Sequence, residues 1–411
     1  MRKIAILGAG ITGVTTAYSL RERGFDVTLF DRQRYAGMET SFANGGQLSV
    51  SNAEVWNRWT TVAKGVKWLF TPSAPLLVNP SPSWHKYSWM GEFIGQIPSY
   101  RANTVRTVKL ALAARRRLFE LAESEGIAFD HEKRGILHIY RDAGSLAQAR
   151  KVNEMLIEGG LERHEVSAAE IAKIEPALRE PCLGGFFTES DSTGDIHKFT
   201  RGLADACARH GVEMRFEAEI SDLKTETEGV RLSWSKDGIA QDELFDGVVV
   251  CAGTASRRFA AMAGDRVNVY PVKGYSITVH LDDEKSRAAT PWVSLLDDDA
   301  KIVTSRLGAD RFRVAGTAEF NGENRDIRAD RIAPLTDWCR RLFPEMGTAR
   351  IVPWCGLRPM MPDMLPRVEA GKDGRIFYNT GHGHLGWTLS AATAELVSWL
   401  IEGKRETKKA A

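Results

Sequence analysis

One glycine-punctuated unit, residues 2–32, constrains this chain more than any other stretch. Ile4-Ala5-Ile6-Leu7 reads as a buried strand, and Gly8-Ala9-Gly10-Ile11-Thr12-Gly13 as a turn into a helix. Val27-Thr28-Leu29-Phe30 reads as a second strand, closed by Asp31. Each glycine has its own mechanical task. Gly8 permits a tight turn, Gly10 lets a diphosphate approach the backbone, and Gly13 lets the helix pack close on the strand. Free N–H groups and partial positive charge at the helix N-terminus suit that diphosphate. Asp31 falls 23 residues after Gly8, where a carboxylate accepts hydrogen bonds from a ribose diol. The pattern predicts dinucleotide binding. Chance glycines in an ordinary strand-turn-helix would leave Asp31 without a role.

With 411 residues the chain can form two domains, or one α/β unit carrying an insertion. Its 55 basic and 53 acidic residues leave a net charge of +2, which excludes the field of a nucleic-acid binder. Cysteines 182, 207, 251, 339 and 355 are odd in number and have no C-x-x-C spacing. That predicts reduced thiols, a cytoplasmic setting and no zinc site. The first strand begins at residue 3, so no signal peptide is expected, and no apolar run approaches the ~20 residues that span a bilayer. The expected location is cytoplasmic, with peripheral contact to the inner face of the cell membrane as the further option.

After Asp31 comes a polar loop, Glu39-Thr40-Ser41-Phe42-Ala43-Asn44-Gly45-Gly46-Gln47, able to pass close to a ligand. Residues 51–100 change character. Pro72, Pro75, Pro80 and Pro82 interrupt them, and Trp56, Trp59, Trp68, Trp84 and Trp89 crowd together. This stretch reads as lid and core; nearby Lys64, Lys67 and Lys86 make an interfacial membrane contact the sharper alternative. Apolar spacing predicts helices over 105–125 and 143–157, with a strand over 135–140 between them. Ser167 to Glu170 is a capping box, 197–209 a helix, and 214–216 and 219–220 short strands. Val248-Val249-Val250-Cys251 is a continuous apolar run that ends in Ala252-Gly253, as expected of a buried parallel strand. Residues 275–279 and 312–316 alternate, as in an antiparallel sheet with one polar face.

A strand over 376–380 then enters Gly381-His382-Gly383-His384-Leu385-Gly386-Trp387 and a helix to about Ile401, followed by a basic tail from Lys404. A second strand–glycine turn–helix unit therefore closes the chain. Two helix N-termini aimed at one cavity suit a long bipartite ligand. One takes the diphosphate, and the other faces a ring carbonyl that gains negative charge on reduction. FAD, held non-covalently, answers that description better than NAD. Cys251 and Cys355 read as small buried residues, and His382 and His384 as packing or capping imidazoles rather than covalent flavin anchors or bases.

Four further runs occur with the fingerprint and in order: Glu39 to Asn44, Tyr270-Pro271-Val272-Lys273-Gly274-Tyr275-Ser276, Trp354-Cys355-Gly356-Leu357-Arg358-Pro359-Met360, and Gly381 to Trp387. Together they resemble the small subunit of bacterial D-amino acid dehydrogenases, within the D-amino acid oxidase and glycine oxidase group of flavoenzymes. The resemblance implies an α/β (α+β) fold with two interleaved domains. One is a Rossmann-like FAD-binding domain from residues 1–50, 165–265 and 345–411; the other is a substrate domain with a large antiparallel sheet from 51–164 and 266–344. It implies that Gly8, Ala9, Gly10, Ile11, Thr12, Gly13, Asp31 and Arg32 serve the diphosphate and ribose. Thr40, Ser41, Asn44, Gly45, Gly46 and Gln47 would flank the ribityl chain and ring, Ile220 the adenine, and Ala252 and Gly253 a second turn under the cofactor. Gly381, His382, Gly383, His384, Leu385, Gly386, Trp387 and Thr388 would face the pyrimidine end. Arg358 would grip the substrate carboxylate, a bidentate task for a planar guanidinium. Its plain alternative is a buried arginine tying two segments together. Tyr275 would be a second carboxylate or ring-facing contact.

Two departures fall near the expected pocket. Met364 stands where the family shows a glycine, and Ser49 to Trp56 replaces a Pro-Gly-Tyr-type segment. The expected reaction is oxidation of a D-amino acid, with a cyclic one such as D-proline or a hydroxylated relative among the candidates. A neutral amine would drive hydride transfer to flavin without a general base, and a respiratory acceptor, quinone or carrier, would take the electrons. The alternatives are a glycine- or sarcosine-type oxidase that reduces oxygen and a non-catalytic dinucleotide-binding sensor.

Overall fold

The structure, a computed structural model, describes residues 2–68 and 74–410, with side chains at 66–68 and 404–410 left out. Pro72, the side chains of Trp68 and Lys67, and those of the basic tail lie outside the described residues.

The cofactor half is a six-stranded sheet ordered Arg367–Ala370, Ile376–Thr380, Gly247–Val250, Lys3–Leu7, Asp26–Asp31, Glu213–Phe216. Its inner pairs are parallel, and only the Arg367–Ala370 edge runs antiparallel. Strand Lys3–Leu7 shows why these strands read as unbroken apolar runs. Ile4 and Ile6 enter a core shared with helices Ile11–Glu22, Ile196–Arg209 and Gly386–Ala410. Ala5 and Leu7 face the other way, into a core shared with a three-stranded antiparallel sheet of Glu219–Thr225, Val230–Lys236 and Ile239–Phe245. Both faces are covered, so neither can be polar.

The second half is a nine-stranded, mostly antiparallel sheet. Its centre is the long pair Tyr270–His280 and Arg311–Phe320, flanked by Ile351–Met360 on one side and Ile302–Leu307 on the other. Helix Ala329–Leu342 covers one face, burying Leu335, Trp338 and Leu342 against Ile277, Phe312 and Val314. Sheet membership cuts across the expected boundaries in two places. His164–Ser167, which straddles the boundary at 164/165, and Gly184–Thr188, from the 165–265 segment, pair at the far edge of the large sheet. Ile351–Met360 also belongs there, in an unbroken ten-residue register with Tyr270–Val279. Strand membership depends on a partner some 80 residues away, which local pattern does not reveal. No described helix is long and apolar enough to cross a membrane.

Candidate active site

The two halves enclose a cavity of about 1090 Å³ lined by Gly8, Gly10, Asp31, Ile220, Ala252, Arg358 and the turn at 381–388. At its glycine end the three tasks separate cleanly. Gly8 has φ +106, and a Cβ there would stand 2.7 Å from the Cys251 carbonyl oxygen. A Cβ on Gly13 would fall 1.7 Å from the Gly8 carbonyl oxygen, so helix and strand touch through it. Gly10 is different: its Cβ would meet only Ser41 Oγ, at 3.6 Å. The protein tolerates a side chain at Gly10, and the space that side chain would fill is the cavity. Asp31 lies beside this turn, its Oδ2 accepting from Ala9 N–H at 2.6 Å and Oδ1 from Gln33 N–H at 2.8 Å. Burial pushes this carboxyl up in pKa against those two donors. Each oxygen retains a further lone pair for a ribose diol. Arg32 is drawn to Glu39 at 2.7 Å, and Ile220 gives its carbonyl to Arg258 Nη2 at 3.1 Å.

The loop after Glu39 is held from both halves. Ser41 Oγ accepts from Ile11 N–H at 3.1 Å, while Thr40 Oγ1 donates to Leu357 O at 2.8 Å. Across the cavity Ser276 donates to Ala43 O, Arg313 to Asn44 O and Ser305 to Gly45 O, and Gln47 Nε2 reaches Ser294 Oγ at 2.7 Å. Gly46 takes φ +71 and packs against Gly194 O. The closing turn is equally tight. Gly381 and Gly383 have positive φ, and a Cβ on either would collide with Met361 or Met360. Gly386 opens the last helix, Leu385 and Trp387 are buried, and Thr388 Oγ1 accepts from Ser49 N–H. The backbone donors and glycine clearances of this lining fit FAD.

Of the two histidines of the turn, His382 is buried and His384 half-buried, and both are neutral. His382 bonds Thr393 Oγ1 at 2.9 Å, and burial pulls its pKa down to about 3. His384 donates through Nε2 to Asn52 O at 3.2 Å and stacks on Trp56 with ring centroids 4.8 Å apart. Burial, aided by the Arg358 charge, lowers it to about 4.

Arg358 is the polar centre of the opposite end. Its guanidinium lies across Gly274, where a Cβ would stand 2.2 Å from Nη1. Nη1 donates to Thr317 O at 3.1 Å. Thr317 is β-branched yet holds φ +58, at the bulge where the pairing shifts between Lys273 and Tyr275. No carboxylate among the described residues pairs with Arg358, and burial alone lowers its pKa, to about 10. A half-buried cation without a carboxylate partner, at the wall of a cavity, is a ready anion site. Tyr275 does not join it. The pleat sends Gly274 and Ser276 to the cavity face, and the Tyr275 hydroxyl donates to Glu319 Oε2 at 2.6 Å within a pair that Glu319 makes with buried Lys273. Tyr275 still contributes to the cavity lining, with its hydroxyl directed to Glu319.

Met364 keeps φ +64, the backbone that glycine would supply more cheaply. Cys251 is buried and pushed up to about 12, while half-buried Cys355 donates to Arg325 O. Sequence reasoning missed Arg258, Thr317, Glu54 and Lys301, all on the cavity wall. Only the Ser49–Trp56 departure signalled any of them. Among the described residues no group of His, Cys, Asp or Glu could hold a metal ion.

A glycine-turn dinucleotide cradle that faces, across one cavity, an arginine on an antiparallel sheet is the arrangement of a two-domain flavoenzyme. The chain belongs to the DAO family of FAD-dependent oxidoreductases, which it matches over residues 3–400. It is 59% identical to D-amino acid dehydrogenase 3 of Mesorhizobium japonicum, over 98% of this chain and 97% of that one. It is 41% identical to a D-amino acid dehydrogenase of Paramagnetospirillum magneticum, over 98% and 95%. Among solved structures it resembles glycine oxidase from Bacillus cereus, with TM-score 0.73 and 20% identity over 98% and 96% of the chains. L-proline dehydrogenase from P. horikoshii gives TM-score 0.75 at 14% identity over 98% and 94%. At those identities the two structures speak for the fold alone. Family membership makes the chain an enzyme, and the sensor reading falls.

Proposed function

We propose that this enzyme oxidatively deaminates D-amino acids, and that Arg358 takes the substrate carboxylate. The cavity-lining guanidinium without a carboxylate partner carries the reading, since a zwitterionic substrate brings the counter-charge that Arg358 lacks. The two dehydrogenase relatives support the D configuration. Bound FAD supplies a two-electron acceptor for the α-carbon, leaving an imine that water hydrolyses to the 2-oxo acid. The chain's own residues do the rest. Arg358, fixed by Gly274 and Thr317 O, orients the α-carbon, and the turn at 381–388 presents a helix N-terminus to charge gained during reduction. Neutral His382 and His384 are poor proton acceptors at working pH, so the substrate amine enters unprotonated. A cyclic substrate such as D-proline or a hydroxylated relative belongs to the same proposal, because its secondary amine can lose the α-hydride in the same way to give a cyclic imine.

The electron acceptor in this reading is respiratory, a quinone or carrier. Helices Trp59–Trp68 and Trp84–Gly95 border the cavity and expose Trp59, Trp84, Tyr87 and Ile94, which supports peripheral contact with a membrane surface. The decisive experiment is anaerobic bleaching of the purified flavoprotein by a panel of D- and L-amino acids. Bleaching by D-enantiomers is expected. Bleaching by L-enantiomers alone, or by none, overturns the proposal, and rapid peroxide formation in air would favour an oxidase.

A further inference from the structure

Residues 52–58 form an extended run with a strict alternation. Asn52, Glu54, Trp56 and Arg58 line the cavity, whereas Ala53, Val55 and Asn57 are fully buried behind them. The run is held rigidly. Asp191 accepts from Val50 and Ser51 N–H, Thr104 Oγ1 accepts from Val55 N–H, and Asn57 Nδ2 donates to Phe93 O and Pro362 O. Glu54 is therefore presented at a set place. Tyr100 donates to its Oε1 at 2.5 Å, and Arg58 Nη1 lies 2.9 Å from the same atom. Oε2 has no partner among the described residues. Opposite, the hairpin between Ser294–Asp297 and Ile302–Leu307 adds a second ion pair to the lining, Asp298 with Lys301 at 2.5 Å. Trp56 stacks on His384, which the Arg358 charge reaches, so this wall continues directly from the carboxylate clamp.

From this arrangement we infer that the 52–58 wall reads the substrate's side chain through Glu54, and that the preferred D-amino acid carries a neutral hydrogen-bonding group, a hydroxyl or amide, close to its α-carbon. The inference rests on the deamination reading above and deepens it. Two features select that class. A cavity-facing carboxylate oxygen with no protein donor rewards a side chain that supplies one, and an apolar side chain displaces its water and leaves it unmet. The wall is also charge-balanced, Glu54 against Arg58 and Asp298 against Lys301. An added cation meets Arg58 and Lys301, an added anion meets Glu54 and Asp298, and a neutral group that donates and accepts meets neither penalty.

D-Threonine and D-valine are near-isosteres that differ by a hydroxyl for a methyl, so their ratio isolates the effect. The wild-type flavoprotein should show kcat/KM at least about tenfold higher for D-threonine, with D-asparagine above D-aspartate and D-lysine. In Glu54→Gln, which keeps shape and loses charge, that ratio should fall about threefold or more, with flavin content changed less than twofold. Equal wild-type rates for D-threonine and D-valine overturn the inference, as does a preference for a charged side chain. An unchanged ratio in Glu54→Gln removes Glu54 from it. Should that variant lose FAD, the wild-type panel decides alone. Turnover of D-valine without discrimination sinks only this inference, whereas failure of every D-amino acid to bleach the flavin sinks the deamination reading as well.

Discussion

At the cofactor end the cavity wall is largely backbone: Gly8, Gly10 and Gly253 leave the surface bare, and amides such as Ile11 N–H are fixed by neighbouring oxygens. At the substrate end it is side chains, Arg358, Glu54 and Trp56, carried on strands and an extended run from distant parts of the chain. Backbone walls recognise a ligand whose shape is constant, and a side chain added there can only obstruct. Side-chain walls can be changed one residue at a time while the sheet beneath remains. The comparison predicts that damage at the first end abolishes the holoenzyme and that damage at the second alters only rate and selectivity.

The largest effect belongs to Gly13→Ala. Its Cβ would overlap the Gly8 carbonyl oxygen, and neither backbone can retreat without parting helix from strand. A loss of about 3 kcal/mol or more is expected, read as an earlier denaturant midpoint and no flavin. Gly10→Val sharpens the contrast within one motif. That site is sterically open, so the fold should survive with its midpoint nearly unchanged while flavin absorbance disappears. A Gly10→Val protein that purifies fully yellow would mean the diphosphate lies elsewhere.

Arg358→Ala tests the other end. It should keep FAD and lose tenfold to over a hundredfold in kcat/KM, the worth of a charge-assisted bidentate contact of roughly 1.5–3 kcal/mol or more. Unchanged efficiency toward a D-amino acid, with no relative gain for the decarboxylated amine, would remove the clamp. Tyr275→Phe should do less and do it differently. Glu319 keeps Lys273 but loses its 2.6 Å donor, so stability drops by about 1–2 kcal/mol while KM stays within twofold. A large rise in KM would restore Tyr275 to the site.

The same contrast decides what was legible in the sequence. Gly8 to Gly13, Asp31 and the 381–388 turn act through local backbone, so spacing alone announces them. Arg358 was reached through its flanking motif, but its cradle was not. That Gly274 must be bare and Thr317 must turn its carbonyl follows from pairing Tyr270–His280 with both Ile351–Met360 and Arg311–Phe320, and from a bulge in the second pair. The direction of the Tyr275 hydroxyl, toward Glu319, was hidden for the same reason, since neighbours in a strand face opposite ways. Glu54 was invisible as a site residue because its meaning lies in an alternation across an irregular segment. That strands 351–360 and 184–188 join the large sheet was not legible, because partners are chosen by long-range register.

The smallest expected effect is a null one, and it bears on proton transfer. With the amine reacting in its neutral form, kcat/KM should rise with pH and level off near the substrate's own amine pKa, since free-substrate ionisations appear in that parameter. The two histidines lie far from that region. His382 is lowered to about 3 and His384 to about 4, so both are already neutral wherever the rate is rising. Replacing either by Asn should disturb the Thr393 or Asn52 contact, and with it flavin binding or rate, but leave the inflection in place. A substrate with a less basic amine should carry the inflection down with it. If instead the midpoint ignores the substrate and vanishes in His384→Asn, a side chain at the seam between the two ends takes the proton, and the division between a backbone wall that binds and a side-chain wall that selects would have to admit a third, reactive element.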